Sequence, residues 1–317
     1  VVIDAFFEYV KKEFAGRKKY ITVFGGEPLM PGERQRMLIG RLIDRSVEAG
    51  LDLAFVTNGY TLTSYIHLLK QARIREIQVT LDGTEAVHDS RRYLHGKLPT
   101  FSKIVDGIDA CLAAGLQINL RMVVDKDNID NLALLSKFAI DKGWTSSPLF
   151  KTQIGRNYEL HVCNSSPGRL FDRATLYKHL YELLIAHPYI AEFYKPAFSI
   201  ARYIAENGAL PMPLFDSCPA CTTEWAFDYT GTIYSCTATV GKQGEELGTF
   251  YPAVTRKEAS IEEWQNRDIT TIEQCRSCEV ALACGGGCAS VAKNKNGGIN
   301  TPDCRPVKEL LSFGAAW

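Results

Sequence analysis

The sequence predicts an α/β protein built on a parallel sheet, with a small cysteine-rich module towards its C-terminal end. Three observations point there. Through the first 155 residues the hydrophobic period switches repeatedly between strand-like and helix-like. No glycine-rich dinucleotide turn follows any of the early strands, which favours a barrel-like curl over a Rossmann sheet. Finally, eight of the ten cysteines crowd between Cys218 and Cys304, and only Cys111 and Cys163 precede them.

The elements follow in order. Residues 1–15 read as a helix with Ile3, Phe6, Phe7, Val10 and Phe14 on one stripe, and YITVF (20–24) as a strand buried on both faces. A helix near 31–49 leads to the strand LDLAFVT (51–57), and one near 62–72 leads to EIQVTL (76–81). A helix near 101–114 leads to QINLRMVV (117–124); a helix near 129–142 and the strand PLFKTQIG (148–155) complete the alternation. Residues 156–216 read as a connecting region with helical stretches near 172–186 and 190–208. Strands separated by helices of this length imply βαβ units, and such sheets collect ligands at the C-terminal ends of their strands. Three of those ends carry turn-forming polar residues: Gly25-Gly26-Glu27-Pro28, Thr57-Asn58-Gly59 and Thr80-Leu81-Asp82-Gly83. Each alone is a tight turn. On consecutive strands, with two glycines that admit a ligand to the backbone and a carboxylate at the rim, they form a candidate binding site.

Composition narrows the classes. The chain has 317 residues, 46 % of them hydrophobic, enough for a sizeable core. Its 36 Lys+Arg balance 36 Asp+Glu, so no electrostatic footprint for nucleic acid or an anionic membrane is present. No apolar run is long enough to span a bilayer, and the start is neither a signal nor a transit peptide. A soluble, cytoplasmic protein without nucleic-acid or membrane partners is expected.

The cysteine spacing is the most specific signal. It runs Cys218-x2-Cys221-x9-Gly231-x4-Cys236 and then Cys275-x2-Cys278-x5-Cys284-x3-Cys288-x15-Cys304. A CxxC pair brings two thiolates to one soft metal, and eight thiolates suffice for two sites of four. Spacing leaves two zinc ribbons and two iron–sulfur clusters both open. Gly231 fits a hairpin turn between FDY and TIYSC. Cys111, in the apolar helix IDACLAAGL, reads as a buried small hydrophobe, and Cys163 has no motif partner.

These motifs together resemble the radical S-adenosylmethionine (SAM) enzymes that carry a C-terminal SPASM domain. GGEP (25–28), TNG (57–59) and TLDGTEAVHDSRR (80–92) match that family's strand ends, and the tail follows its 9-Gly-4 and 2-5-3 cysteine rhythm. The resemblance implies a partial parallel (β/α)6 radical-SAM barrel, its first strand and cluster loop missing, over 1–155. A helical connecting region (156–216) and a SPASM auxiliary iron–sulfur domain (217–317) would follow. It also implies that Gly25, Gly26 and Glu27 hold the amino group of SAM, while Thr80 and Arg91 contact its carboxylate. An Arg fork suits a carboxylate, although Arg91 and Arg92 also read as solvated cations. Asn58 is a candidate there and equally a turn residue. Two auxiliary [4Fe–4S] clusters would interleave, one on Cys218, Cys221, Cys236 and Cys288, the other on Cys275, Cys278, Cys284 and Cys304. Gly285-Gly286-Gly287 would let backbone pass close to a cluster or form a flexible turn.

The family's CxxxCxxC motif, which holds the catalytic cluster, is not among these residues; no cysteine precedes Cys111. A third, catalytic [4Fe–4S] cluster is therefore expected only in a full-length protein. Either a fragment or a degenerate homologue explains this, and the sheet edge left unpaired by a missing first strand favours a fragment. The implied activity is reductive cleavage of SAM to a 5′-deoxyadenosyl radical that takes hydrogen from a peptide or protein substrate. A low-potential donor such as flavodoxin or ferredoxin would supply the electron. Thr237 stands where sulfatase-maturing relatives place an Asp after the cysteine, which argues against that activity. Two rivals remain: a non-catalytic iron–sulfur electron-transfer or peptide-binding module, and a zinc-ribbon interaction protein, which would not require Glu27 or Arg91.

Overall fold

A computed structural model describes residues 1–156 and 167–317, so Cys163 lies outside the described residues. Five parallel strands form one sheet in sequential order: β1 (Tyr20–Val23), β2 (Asp52–Thr57), β3 (Ile74–Thr80), β4 (Ile118–Val124) and β5 (Phe150–Arg156). The helices of this region are α1 (Val2–Glu13), α2 (Glu33–Glu48), α3 (Ile66–Leu69), α4 (Glu85–Arg91), α5 (Phe101–Ala113) and α6 (Asn131–Asp141). This is the α/β fold that the alternation and the resemblance imply.

Strand β4 shows how the sequence sets the faces. Ile118, Leu120, Met122 and Val124 are fully buried in the core shared with Ile104, Ile108 and Leu135 of α5 and α6. The intervening Asn119, Arg121 and Val123 are only partly covered and line the opposite, concave face. Parallel register places Thr80 of β3 level with Arg121, and Arg121 level with Gln153 of β5. The concave face is thus polar at the level where β3 ends.

Two expected helices are broken. In place of one helix over 62–72 there is a 3₁₀ turn, Leu62–Tyr65, and then the short α3. Leu62 and Tyr65, both fully buried, stand three residues apart, which is the spacing that a 3₁₀ turn brings to one side. The stretch 190–208 divides into α8 (Ile190–Phe193) and α9 (Ala201–Asn207), after α7 (Arg173–Ala186). Pro196 interrupts it, and Phe198 and Ser199 follow at positive φ, 43° and 60°. Helix α4, which carries the HDSRR residues, has no counterpart in the expected elements.

The cysteine-rich region is mostly loop around a four-stranded antiparallel sheet: β6 (Ala226–Phe227), β7 (Thr232–Tyr234), β8 (Glu246–Thr249) and β9 (Thr255–Arg256). Gly231, at φ 96°, makes the β6–β7 turn, and a Cβ there would lie 2.4 Å from the Tyr251 carbonyl oxygen. Helices α10 (Glu258–Gln265), α11 (Ala281–Cys284), α12 (Ala289–Asn296) and α13 (Val307–Ala316) complete the chain. Two of the molecule's end helices cross over. Phe6, Tyr9 and Phe14 of and just after α1 pack against Trp225, Phe227 and Phe250, all edge-on except the tilted Tyr9–Phe250 pair, with ring centroids 5.1–6.4 Å apart. Phe313 of α13 stacks on Tyr181 of α7 at 5.6 Å, back on the parallel-sheet side. Among the described residues no helix is long and apolar enough to cross a membrane.

Candidate functional site

The end of β1 is held open by its neighbour. Gly25 and Gly26 sit at φ 88° and 54°, exposed, with nothing within 4 Å of where a side chain would begin. Glu27 turns away from them and ties the loop to β2. Its Oε1 accepts from Leu29 N (2.9 Å) and Thr57 Oγ1 (2.5 Å), and its Oε2 from Asn58 N (2.6 Å). Asn58 Oδ1 accepts from Tyr60 N at 2.8 Å, an Asx turn, so the side chain shapes the second strand end. Thr61 Oγ1 donates to the Leu29 carbonyl and Tyr65 OH to that of Met30. The first two strand ends are therefore one hydrogen-bonded unit with two exposed glycine peptides on top.

The third strand end is a closed ionic network. Asp82, 3 % exposed, accepts from Arg92 Nε (2.8 Å), Arg91 Nε (3.4 Å) and Val123 N (3.1 Å). Arg91 forms a fork with Asp125, at 3.1 and 2.9 Å. Burial works against the Arg91 cation, but the Asp125 and Asp82 carboxylates outweigh it and raise its pKa. Beneath them His88 is fully buried and held down to about 4 by burial, hence neutral. Gly83, at φ 153°, is also required by space, since a Cβ would meet Asn131 Oδ1 at 2.5 Å.

The eight clustered cysteines are free thiols in two separate neighbourhoods. Cys218 and Cys288 are interacting neighbours. That contact raises the Cys218 pKa and lowers that of Cys288 to about 6, helped by the backbone N–H groups of Val291 and Ser290 at the start of α12. Burial pushes Cys221 up to about 12, and adjacent Cys236 adds to it. Cys236 Sγ in turn lies 3.2 Å from Ser290 Oγ, two residues after Cys288. In the second neighbourhood burial and then Cys284, Cys304 and Cys278 raise the pKa of Cys275. Cys304 is raised by burial and then by Cys284 and Cys278. Four thiols apiece suit the donor chemistry of two iron–sulfur clusters. Among the described residues no three His, Cys, Asp or Glu side chains converge as closely as a single metal ion requires.

Residues without a sequence signal lock the two neighbourhoods together. Arg267, 1 % exposed, donates to Ile299 O (2.6 Å), Asp216 Oδ1 (3.1 Å), Gly286 O (3.0 Å), Thr301 O (3.2 Å) and Gly287 O (3.3 Å). It thereby joins the loops that lead into Cys218, Cys288 and Cys304. Gly285, Gly286 and Gly287 all have positive φ, and a Cβ on Gly287 would lie 2.1 Å from the Asp303 carbonyl oxygen. They make a packed crossing rather than a flexible turn. Asp303, buried, accepts from Cys288 N (3.4 Å) and Arg173 Nη2 (2.9 Å), which connects the cysteine loops to α7. A cavity of about 430 Å³ beside this pair is lined by Arg156, Arg173, Lys295, Cys304 and Arg305. A smaller hollow, about 320 Å³, lies between α2 and Ser64–Leu68, away from the strand ends.

The structure thus brings Gly25, Gly26, Glu27 and Asn58 into one unit and puts Thr80 at the concave face. It engages Arg91 with two carboxylates of its own chain. Cys111 is fully buried in α5, with burial pushing its thiol up to about 12.

Residues 2–139 match the model of the Radical SAM superfamily. The GTP 3′,8-cyclase of Campylobacter fetus subsp. fetus (strain 82-40) is 28 % identical over 141 residues, 44 % of this chain and 42 % of that protein. The GTP 3′,8-cyclase of Paracoccus denitrificans (strain Pd 1222) is 34 % identical over 125 residues, 39 % of this chain and 35 % of that protein. The chain therefore spans well under half the length of these two relatives. The solved structure of native anSMEcpe with bound AdoMet and Kp18Cys peptide superposes with a TM-score of 0.73 at 16 % identity, over 99 % of this chain and 88 % of that one. Streptococcus suis SuiB bound to S-adenosylmethionine gives 0.63 at 15 % identity, over 96 % and 69 %. At such identities the likeness is one of fold.

Proposed function

We propose that this chain, whose residues 2–139 match the Radical SAM superfamily model, belongs to a radical SAM/SPASM enzyme acting on a peptide or protein. SAM, bound beside a reduced cluster, would supply a 5′-deoxyadenosyl radical that takes hydrogen from the substrate. The chain's own part is positioning. The exposed peptides of Gly25 and Gly26 offer backbone groups to the methionine amino group, and Glu27 fixes their orientation from β2. Two auxiliary [4Fe–4S] clusters would sit on the two cysteine quartets.

One observation carries this reading. Two separate sets of four thiols, drawn together from distant parts of the chain, accompany a parallel sheet with an exposed glycine strand end. A peptide substrate is supported by the fold likeness to anSMEcpe, which was solved with a peptide and spans 99 % of this chain. A second reading, a nucleotide substrate, has the GTP 3′,8-cyclase relatives behind it, together with the cavity where Arg156, Arg173, Lys295 and Arg305 stand with Asp172 and Asp303.

Metal and acid-labile sulfide analysis on protein purified without oxygen tests the core of the proposal. The expected result is about eight iron and about eight sulfide per chain, with absorption near 400 nm, from two filled cubane sites. About two zinc and no sulfide would overturn it in favour of a ribbon protein.

A further inference from the structure

Among the described residues, Arg267 and Arg91 are drawn in with partners, whereas Arg121 is drawn in without one. Arg267 spends its donors on four carbonyls and Asp216, and Arg91 spends its on Asp82 and Asp125. Arg121, on the concave face of β4, has a buried Nε with no hydrogen-bond partner, and its guanidinium makes no ion pair with any described residue. A buried donor left unmade costs about 1–3 kcal/mol, and arginines drawn into an interior are ordinarily paired. Two residues earlier on the same face, Asn119 Oδ1 is also buried and without a donor. A donor and an acceptor that no described residue meets thus stand two residues apart on one face of β4.

The seat of Arg121 is shaped for it. The guanidinium lies across Gly155 of β5, where a Cβ would stand 2.6 Å from Nε and 2.8 Å from Nη2. Gly155 is not at positive φ, so the backbone does not call for glycine; the space for the guanidinium does. The level is right as well, because Arg121 registers with Thr80, the last residue of β3, at the C-terminal rim where α/β sheets bind ligands.

We propose that Arg121, seated on Gly155, is the carboxylate receptor of the concave face, with Asn119 accepting from an N–H of the same ligand. A planar fork facing a carboxylate gives two parallel charge-assisted hydrogen bonds and the fixed orientation that a reacting substrate needs. Arg91, already forked onto Asp125, does not have those donors to give. A carboxylate next to an N–H can come from the methionine end of SAM or from an acidic residue of a substrate peptide. Only the first source rests on the radical SAM reading above.

Titration calorimetry on the anaerobically purified protein separates the possibilities. The ligands are SAM, decarboxylated SAM, which keeps the sulfonium and adenosine, and N-acetylglutamate. The proteins are wild type, R121Q and G155A, each checked by thermal melting. G155A displaces the guanidinium while keeping its charge, and the three atoms nearest its Cβ all belong to that flexible side chain. If SAM is the source, wild type binds SAM at least tenfold tighter than decarboxylated SAM, and both variants lose that preference. If the substrate is the source, the variants leave SAM unchanged and lose binding of N-acetylglutamate. Variants that keep the wild-type preference and affinities overturn the proposal while leaving the SAM site intact. A wild type that binds none of the three ligands overturns both.

Discussion

His88 Nδ1 accepts from the Asp82 N–H at 3.2 Å, which leaves Nε2 to donate to Thr100 Oγ1 at 3.1 Å. The imidazole is thus fixed as one neutral tautomer under the Asp82–Arg91–Asp125 network. Its folded pKa of about 4 lies below the value near 6.5 of an unfolded chain. As pH falls through that window the unfolded state takes up a proton that the native state refuses. Stability present above pH 6.5 is therefore lost towards pH 4, at most about 3 kcal/mol. The melting temperature of wild type should fall more steeply between those pH values than that of His88→Gln. At the first strand end, Glu27→Gln replaces an acceptor of three donors with a group that accepts at one atom only. Its expected effect is about tenfold weaker SAM binding, read by equilibrium dialysis, with about 1–3 kcal/mol of lost stability. Glu27 was legible from the sequence because it lies within a compact motif on a strand end. The engagement of Arg91 was not, since Asp125 lies 34 residues away and nothing local announces the fork.

At the scale of elements, the cysteine spacing singled out the eight thiols that the structure gathers into two neighbourhoods, and the proposed clusters rest on them. Replacing one member of either quartet, Cys236→Ser or Cys278→Ser, should lower iron content from about eight to about four per chain, leaving the other set filled. A zinc ribbon would show no iron in either protein. What holds the quartets in place was illegible: Arg267 sits in an unremarkable Asn-Arg-Asp stretch, and only tertiary burial gives it its five acceptors. Arg267→Leu strands Asp216 beside Cys218 and leaves four carbonyls unpaired. A loss of about 3–5 kcal/mol is expected by chemical denaturation, and Arg267→Lys should not restore it, since an ammonium cannot span the same acceptors. Gly287→Ala, with its Cβ against the Asp303 carbonyl, should cost cluster content rather than secondary structure, seen as lost 400 nm absorption at unchanged far-ultraviolet dichroism. The broken helices tell the same story in reverse: Pro196 carried a signal for one break that the helical period of 190–208 masked, whereas Tyr65, at the end of the 3₁₀ turn Leu62–Tyr65, reaches the distant Met30 carbonyl.

At the scale of the whole molecule, the parallel sheet followed from hydrophobic period alone, but the packing of its N-terminal helix did not. An amphipathic stripe says that a face is buried, never against what. Here Phe6 and Tyr9 of α1 meet Phe227 and Phe250 of the cysteine-rich region, and Arg256 Nη1 donates to Tyr9 OH at 2.9 Å. Phe227→Ala should cost about 2–3 kcal/mol and loosen the β6–β7 hairpin that presents Cys236, so that iron is lost at a lower temperature than from wild type.

That same clasp sets an order of events during synthesis. Helix α1 emerges from the ribosome about 220 residues before Phe227, which at roughly 5–20 residues per second is a wait of about 10–40 s. Throughout it, the aromatic face of α1 has no partner of its own chain, and the strands form beside an uncovered apolar surface. Chains stalled or cut before the cysteine-rich region should accordingly be sticky, dependent on chaperones and prone to aggregate, and become well behaved only once that region has been made.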